Sequence, residues 1–414
     1  MTKKTTPLKK VLLITQYYPP EIGGGAHRSS GIAEGLLALG VDVTVIAPFP
    51  TYLLQEHHKS FSWKLWEKQN VRGVKVLRTF VISSDRGSLP KRLIYYFSFM
   101  KSAFITALFK VKGVDAIITI SPPLFTGITG VLLKNIMRTK LIFDIGDLWP
   151  ESVIQLGFIK NKTAIKIAEA LERWIYKRSD VLNLVTEGTR ERVLRIHPYV
   201  KNTFYVPNFA DTKSVFKESK NADLVKELGL ENKIVFGYAG NIGGAQGLFV
   251  VTEAAKILKS DESIVFLIIG DGVDAGKLYK DIKMFDLRNI IFLPPVLKEE
   301  VRKYSSLFDF TVIPLLSNEL FLITIPSKLY ESMASETPVI LCVDGEARKI
   351  LEDAQAGYSV NSENIPLLAE TIKKAASDMD AAAEMGKRGR ETVKKYFDRD
   401  LVIAKLKQDI ENIL

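Results

Sequence analysis

The sequence predicts an α/β protein made of two doubly wound lobes, each with a parallel sheet covered by helices on both faces. The chain has 414 residues, more than one ordinary hydrophobic core holds, so we expect two domains. Short runs rich in Val, Ile and Leu alternate with helical patterns, which is typical of a buried parallel sheet. The alternation stops at a polar stretch, 211–233, and then begins again.

Seven strands are predicted before the polar stretch and six after it. The first seven are 9–15, 41–47, 73–81, 114–120, 140–145, 180–185 and 203–207, and the later six are 233–240, 263–272, 289–295, 308–314, 337–343 and 356–360. We therefore predict a first domain over 1–207 and a second over 208–397. A last helix, about 398–414, follows a break at Phe397-Asp398, and the sequence leaves open whether it crosses back onto the first domain. Two such lobes face to face would enclose a deep cleft, where ligands meet the carboxyl ends of strands.

The composition excludes several classes of protein. With 47% hydrophobic and 25% charged residues, the chain is globular rather than disordered or fibrous. A single cysteine, Cys342, excludes a disulfide framework and a cysteine-based zinc site, and it fits a reducing compartment. The four histidines show no metal-binding spacing, and no run reaches the ~18 apolar residues of a spanning helix. We expect a cytoplasmic protein, soluble or peripheral to a membrane, without a metal or cofactor.

The net charge of +10 is unevenly distributed. Residues 1–212 hold 30 basic and 16 acidic side chains, whereas residues 213–414 hold 27 and 31. This asymmetry predicts a first lobe that faces an anionic partner, although a merely solvated basic surface explains it equally well. The segment 88–113 combines aromatic and apolar residues with five cations, so it is a candidate interfacial helix for an anionic membrane or a lipid diphosphate acceptor. An ordinary buried helix with basic ends is the alternative.

Three glycine-containing loops follow predicted strands. In the first, Gly23, Gly24 and Gly25 precede a helix expected near Ala26, whose N–H groups could bind an anion. The spacing is neither GxGxxG nor a P-loop, so it gives no support to a nicotinamide cofactor or ATP. The other two loops hold further candidates for donor binding, with a structural turn as the alternative in each. They contain Gly240, Asn241, Gly244 and Gln246, and then Gly270, Asp271 and Gly272.

The segment TIPSKLYESMA predicts a helix that begins at Pro326 and Ser327, with Ser327 as a cap. Lys328 lies in the first turn, where the helix dipole disfavours a cation unless an anionic ligand is bound there too. Glu331 lies one turn later on the same face and could accept hydrogen bonds from a ribose diol. The alternative is a local Lys–Glu pair on a solvated surface.

The candidates for acceptor binding lie in the first lobe. In KLIFDIGDLWPES, Asp147 could orient an acceptor hydroxyl or cap the turn before Pro150, and Trp149 and Glu151 follow it. His27 and Arg28, beside the first glycine-rich loop, complete the set.

Together these segments resemble the retaining nucleotide-sugar glycosyltransferases of family 4, which have the GT-B fold. The likeness is greatest to the branch that builds surface polysaccharides and includes N-acetylfucosamine transferases. The matching stretches run in family order from about residue 10 to 400 and are ITQYYPPE–GGG, SPPLFTG, DLWPES, VPN, YAGNIGGAQGL, GDG, IPSKLYESMA and VDGEA.

The resemblance implies retaining transfer of a sugar, such as an N-acetylated hexosamine or deoxyhexosamine, from a nucleoside-diphosphate donor, with UDP expected. The acceptor would be a glycan or a polyprenyl-diphosphate-linked molecule on the cytoplasmic face of a membrane, and no metal would be required. Glu331 matches the acid that binds the ribose, and Ser327, Lys328 and Leu329 match the start of the helix that holds the diphosphate.

The chain departs from the family pattern at several positions. Asn241 and Gln246 stand where the wider family has an arginine and a lysine, and this branch shares that difference. Ile323, Leu322 and Gly146 replace the first acid of the paired glutamates and two expected basic residues. A non-catalytic nucleotide-sugar-binding subunit and a GDP-mannose-type mannosyltransferase therefore stay open, whereas nucleic-acid binding lacks a motif.

Overall fold

The structure is a computed structural model that describes residues 6–51, 64–82, 89–296 and 298–414. Its chain divides into two compact units. The first consists of the described residues up to Pro207 together with Arg399–Leu414, and the second of Asn208–Asp398. Each unit has its own sheet with helices packed against it, so the predicted fold class of two Rossmann-like α/β domains is confirmed.

The sheet of the first unit has eight strands in the order 3-4-2-1-5-6-7-8 by position along the chain. These strands are β1 (Lys10–Ile14), β2 (Asp42–Pro48), β3 (Trp66–Val71), β4 (Val74–Thr79), β5 (Ala116–Ser121), β6 (Lys140–Ile145), β7 (Val181–Leu184) and β8 (Thr203–Tyr205). All seven strands predicted in this part of the sequence are present, and their pairings with one another are parallel.

Strand β3 was not predicted, and it makes the sheet mixed rather than wholly parallel. It pairs antiparallel with β4 through a two-residue turn at Arg72 and Gly73, whose φ angles are 51° and 84°. Its side chains alternate between exposed and half-buried, because this edge strand lacks the buried faces that give the other strands their apolar runs.

Seven helices accompany this sheet among the described residues. They are α1 (Gly24–Ala38), α2 (Leu89–Lys110), α3 (Phe125–Met137), α4 (Glu151–Gln155), α5 (Lys162–Arg178), α6 (Glu187–Ile196) and α15 (Arg399–Glu411). The C-terminal helix α15 packs against α1, where a Cβ on Gly35 would lie 2.9 Å from the side chain of Ile403. No helix of the described residues is long and apolar enough to cross a bilayer.

The second unit has a six-stranded, wholly parallel sheet in the order 11-10-9-12-13-14. Its strands are β9 (Ile234–Ala239), β10 (Ile264–Ile269), β11 (Ile290–Leu293), β12 (Phe310–Pro314), β13 (Val339–Cys342) and β14 (Gly357–Ser359). Its helices are α7 (Ala222–Glu227), α8 (Phe249–Ile257), α9 (Ala275–Met284), α10 (Lys298–Ser305), α11 (Ser327–Ala334), α12 (Glu346–Asp353), α13 (Ile365–Ala376) and α14 (Met379–Thr392). A π-helical segment, Val393–Phe397, continues α14 towards the boundary of the unit.

The order of strands reverses between β1 and β5 in the first unit and between β9 and β12 in the second. In open α/β sheets such reversals open a crevice beyond the carboxyl ends of the strands, and ligands bind there. The loops that follow β1 and β9 are the glycine-rich loops that the sequence singled out.

Candidate functional site

The ends of β9 and β10 approach one another closely in the second unit. The amide of Gly240 donates to Ile269 O at 2.9 Å, and the amide of Ile242 donates to Asp271 O at 2.8 Å. Gly270 has a φ of 153°, and a Cβ there would lie 1.9 Å from Gly240 O, so only glycine fits. The predicted residues Gly240, Gly270 and Asp271 therefore lie in two adjacent turns that are joined by backbone hydrogen bonds.

The side chains of these turns are engaged locally. The Asp271 carboxylate accepts from the amide of Gly272 at 2.7 Å. Asn241 and Gln246, both predicted to bind the donor, bond each other, with Asn241 Nδ2 3.1 Å from Gln246 Oε1. The same oxygen accepts from the amide of Gly243 at 3.2 Å and so supports the turn that contains Gly244. Asn241 and Gln246 thus shape the loop, and neither brings a charge to it.

Helix α11 begins one residue earlier than a Ser327 cap would require. Pro326 is the N-cap, Ser327 is the first helical residue, and the structure records no capping hydrogen bond from a side chain at this terminus. The prediction of Ser327 as the cap is therefore wrong, because Pro326, in an extended conformation, already occupies the N-cap position. Leu329 is fully buried, and its amide donates to Pro326 O at 3.0 Å, so it belongs to the core of the turn.

Lys328, in the first turn of α11, points back to the end of β9. Its Nζ lies 4.9 Å from the centroid of the Tyr238 ring. A Cβ on Gly240, whose φ is 145°, would lie 2.6 Å from the same nitrogen. Crowding lowers the pKa of Lys328 from its ordinary value by desolvation, and the negative charge of Glu331 acts in the opposite direction. The structure thus brings Lys328, Glu331 and Gly240 together.

The turn before α11 supplies no charge to this site. Leu322 and Ile323, where the resemblance led us to expect a base and an acid, belong to a 3-10 turn, Phe321–Ile323. Leu322 is 38% exposed and Ile323 is half-buried. Positive charge at the N-terminus of α11 therefore comes from Lys328 alone among its immediate neighbours in sequence.

In the first unit, the glycine-rich loop opens α1. The helix begins at Gly24 rather than near Ala26, with Gly23 as its N-cap, so Gly24 and Gly25 lie inside the first turn. A Cβ on Gly25 would lie 3.3 Å from the ring of Tyr17, which packs against that turn. His27 is half-buried in the next part of the helix.

Arg28 is not available to an acceptor, which corrects the prediction for this residue. It is only 4% exposed, and its guanidinium forms an ion pair with Asp144 at 3.1 Å. It also donates to Val206 O at 3.0 Å and Pro207 O at 3.1 Å. These contacts join residues distant in the sequence, so no local pattern could reveal them.

The segment after β6 presents one candidate to solvent and anchors the others. Asp147 is exposed at the residue level, yet the dense surroundings of its carboxyl raise its pKa by desolvation. Trp149 packs edge-on against Phe125, with ring centroids 5.9 Å apart. Glu151 is held by Arg192, whose Nε donates to Oε2 at 2.9 Å, so this carboxylate fixes α4 onto α6.

Gly146, which stands where a basic residue was expected, has a structural place. Its amide donates to Ser121 O at 2.9 Å, and a Cβ would lie 3.1 Å from the same oxygen. Among the described residues, no group of three His, Cys, Asp or Glu side chains is placed to hold a metal ion. Transfer without a metal and the cleft between the lobes stay predictions.

Two residues that matter to the geometry were missed from the sequence. Tyr238, under the Lys328 ammonium, lies in a strand and looked like an ordinary core aromatic. Arg192 is one of three arginines on α6, and nothing in its spacing marks Glu151 as its partner. The one available signal was an aromatic residue two positions before Gly240, the glycine that follows β9.

Two family descriptions match this sequence. Residues 23–208 match the glycosyl transferase 4-like domain, and residues 220–392 match glycosyl transferases group 1. A putative colanic acid biosynthesis glycosyl transferase of Escherichia coli strain K12, WcaI, is 28% identical over 294 residues, which cover 69% of this chain and 71% of that protein.

Solved structures resemble the whole chain. Sucrose-phosphate synthase from Thermosynechococcus elongatus has a TM-score of 0.73 at 16% identity, covering 98% of this chain and 99% of its own. Anabaena HepE, solved in complex with UDP and glucose, has a TM-score of 0.72 at 15% identity, covering 98% and 100%. At such identities these similarities concern the fold.

Proposed function

We propose that this chain, which belongs to the glycosyltransferases with the GT-B fold, is a retaining enzyme of surface polysaccharide or glycoconjugate synthesis. It moves a sugar from a UDP-linked donor to a glycan or a polyprenyl-diphosphate-linked acceptor. The sugar is an N-acetylated hexosamine or deoxyhexosamine, as the resemblance to the N-acetylfucosamine transferase branch implies. The observation that carries the proposal is the position of Lys328 at the N-terminus of α11, beside the turn at Gly240.

Lys328 fits a diphosphate because its charge is otherwise poorly compensated. Desolvation disfavours its charged form, and the negative charge of Glu331 offsets that effect only in part. The first turn of α11 adds the backbone N–H groups of the helix N-terminus and the positive end of the helix dipole. In a crowded, desolvated site such groups stabilise negative charge more strongly than they would in water.

The proposed chemistry is a same-face substitution assisted by the leaving phosphate. The bond from the anomeric carbon to the diphosphate oxygen breaks, and the acceptor oxygen bonds to the same face of that carbon. The proton of the acceptor hydroxyl passes to the departing diphosphate. Lys328 stabilises the leaving charge, Glu331 binds the ribose, and Asp147 orients the acceptor hydroxyl.

A nucleotide panel read by thermal unfolding tests the donor. We expect UDP to raise the melting temperature more than GDP or ADP, followed by a panel of UDP-sugars to identify the sugar. A larger shift with GDP would favour the GDP-mannose alternative. NMR of the product's anomeric signal then tests retention, and an inverted configuration would exclude this mechanism.

An activity measurement distinguishes an enzyme from a non-catalytic nucleotide-sugar-binding subunit. That alternative stays open because Ile323, Leu322 and Gly146 depart from the family pattern. We expect donor hydrolysis or transfer by the isolated protein, undiminished by EDTA. Lys328→Ala should lower that rate about 100-fold or more while the protein stays folded. A Lys328→Ala variant with the rate of the unaltered protein would remove Lys328 from the mechanism.

The first unit provides the surface for a membrane-bound acceptor. One face of α2 is buried through Tyr95, Phe99 and Ala103, so the alternative of a core helix accounts for that face. The other face exposes an apolar row flanked by lysines, and residues 89–114 contain no acidic side chain. The exposed row consists of Ile94, Phe97, Ile105 and Phe109. A cationic, apolar face of this kind suits the cytoplasmic surface of an anionic bilayer.

A further inference from the structure

The ammonium group of Lys328 lies over an aromatic ring. Its Nζ lies 4.9 Å from the centroid of Tyr238, within the range of a cation–π interaction. Gly240 forms a second wall, since even one added carbon there would lie 2.6 Å from Nζ and 2.7 Å from Cε. The side chain is thus confined between a ring and a backbone turn.

Tyr238 is itself firmly held. It is 2% exposed, and its hydroxyl donates a hydrogen bond to Asn241 O. That bond closes the turn that follows β9. Gly240 in this turn has no side chain, and Lys328 occupies the space that a side chain would fill. The Tyr238 ring, the turn and Lys328 therefore form one packed cluster, built from two segments about 90 residues apart in sequence.

A lysine in this place has a competing conformation. Glu331 is one turn along α11 on the same face, where Lys–Glu pairs commonly form. Such a pair would neutralise the charge that a diphosphate needs. The ring attracts the ammonium group without neutralising it, so the cation keeps its charge and its direction towards the end of β9.

We propose that Tyr238 is a positioning residue, whose ring seats the Lys328 ammonium so that it meets the diphosphate of the donor. This inference rests on the proposed function of the site as a nucleoside-diphosphate binder. It assigns to Tyr238 a share of the binding energy that depends on the diphosphate and on Lys328, and none of the energy that holds the nucleoside.

The test is a double-mutant cycle with UDP and uridine as the probes, measured by calorimetry. Tyr238→Leu should weaken UDP binding about tenfold and leave uridine binding unchanged. In a Lys328→Ala background, Tyr238→Leu should cause no further loss. Tyr238→Phe keeps the ring but not the hydroxyl, so it should retain most of the diphosphate-dependent affinity that the leucine variant loses.

Phe236→Leu is the matched control, because Phe236 lies on the same strand, is buried, and stacks on Phe310 with their ring centroids 5.1 Å apart. It should lower the melting temperature as Tyr238→Leu does and leave the ratio of the affinities for UDP and uridine unchanged. Additive losses in the cycle, or an equal loss for uridine, would reduce Tyr238 to a core residue. If instead the unaltered protein binds no nucleoside diphosphate, the proposed function fails and not merely the role of Tyr238.

Discussion

Arg28 and Asp144 form an ion pair in the interior of the first unit, with Nε 3.1 Å from Oδ1 and side chains that are 5% and 1% exposed. The guanidinium group also satisfies the carbonyl oxygens of Val206 and Pro207, the last residues of that unit before the chain leaves it. Because these contacts lie in the interior of the first unit, we infer that Arg28 fixes the end of that unit and does not bind a ligand.

Removing Arg28 should therefore destabilise the first unit strongly. Arg28→Ala leaves Asp144 buried without its partner, and the expected loss is about 3–5 kcal/mol in the free energy of unfolding. Urea unfolding followed by circular dichroism measures it. Lys10→Ala, which breaks a more exposed pair with Asp42 at 3.9 Å in the same unit, should cost less than about 1 kcal/mol. Similar losses for the two variants would contradict the structural role of Arg28.

Arg28 also marks where prediction from the sequence stopped. Its position beside three glycines suggested a ligand contact, whereas its partner lies 116 residues away and is found only through the packed sheet. The strands could be predicted, since burial on both faces leaves continuous apolar runs. The edge strand β3 lacks such a run. Lys328 was identifiable because a cation opposes the dipole in a first turn, but the ring of Tyr238 beneath it was not.

Cys342 provides a probe of the second unit. It is the only cysteine of the chain, it is fully buried at the end of β13, and burial raises the pKa of its thiol to about 12. We expect a thiol reagent to label it only when the second unit opens. If UDP binds that unit, a concentration of 100 times Kd should slow labelling about 100-fold. Lys328→Ala should weaken this protection, and labelling at the same rate with saturating UDP would place the nucleotide elsewhere.

The pH dependence of UDP binding should report Lys328. Desolvation lowers its pKa below the ordinary 10.5 in the free protein, and a bound diphosphate would raise it again. Binding therefore takes up a proton at any pH where the free lysine is neutral. The affinity for UDP should be highest near pH 7 and should fall as the pH rises through the lowered pKa of Lys328. Calorimetry from pH 7 to 10 measures this decline. Lys328→Ala should bind weakly with a flat profile, and a parallel decline in that variant would assign the titration to another group.

Asp147 should affect transfer without affecting the donor. Asp147→Asn removes the negative charge and replaces one carboxylate oxygen with an amide donor, so it orients an acceptor hydroxyl less well, and we expect transfer to fall about 100-fold while UDP affinity stays the same. Desolvation raises the pKa of Asp147 above the ordinary 3.8, so the activity of the unaltered protein should fall with decreasing pH earlier than an ordinary aspartate would dictate. Glu191→Gln, at an exposed position of the same unit, is the control. Loss of UDP binding in Asp147→Asn would show that the carboxylate serves the donor or the fold.

The exposed face of α2 should govern attachment to anionic lipid. Ile105 and Phe109 are 54% and 73% exposed, whereas Ala103 and Ala107 on the opposite face are buried. Replacing both Ile105 and Phe109 with serine removes apolar area that would enter the interface and leaves the core face untouched. We expect the double variant to lose most of its flotation with vesicles that contain anionic lipid, at an unchanged melting temperature.

Charge and apolar area can be separated in the same experiment. Lys101→Glu, on the same exposed face, should weaken flotation and make the remainder less sensitive to salt, because each cation near an anionic surface contributes about 1 kcal/mol. Val273 and Met284, exposed apolar residues of the second unit at 75% and 72%, give a matched serine control. Flotation that is indifferent to lipid charge, or that falls equally in this control, would show that the face of α2 is not the attachment surface. The lysines would then be solvated cations on an ordinary amphipathic helix.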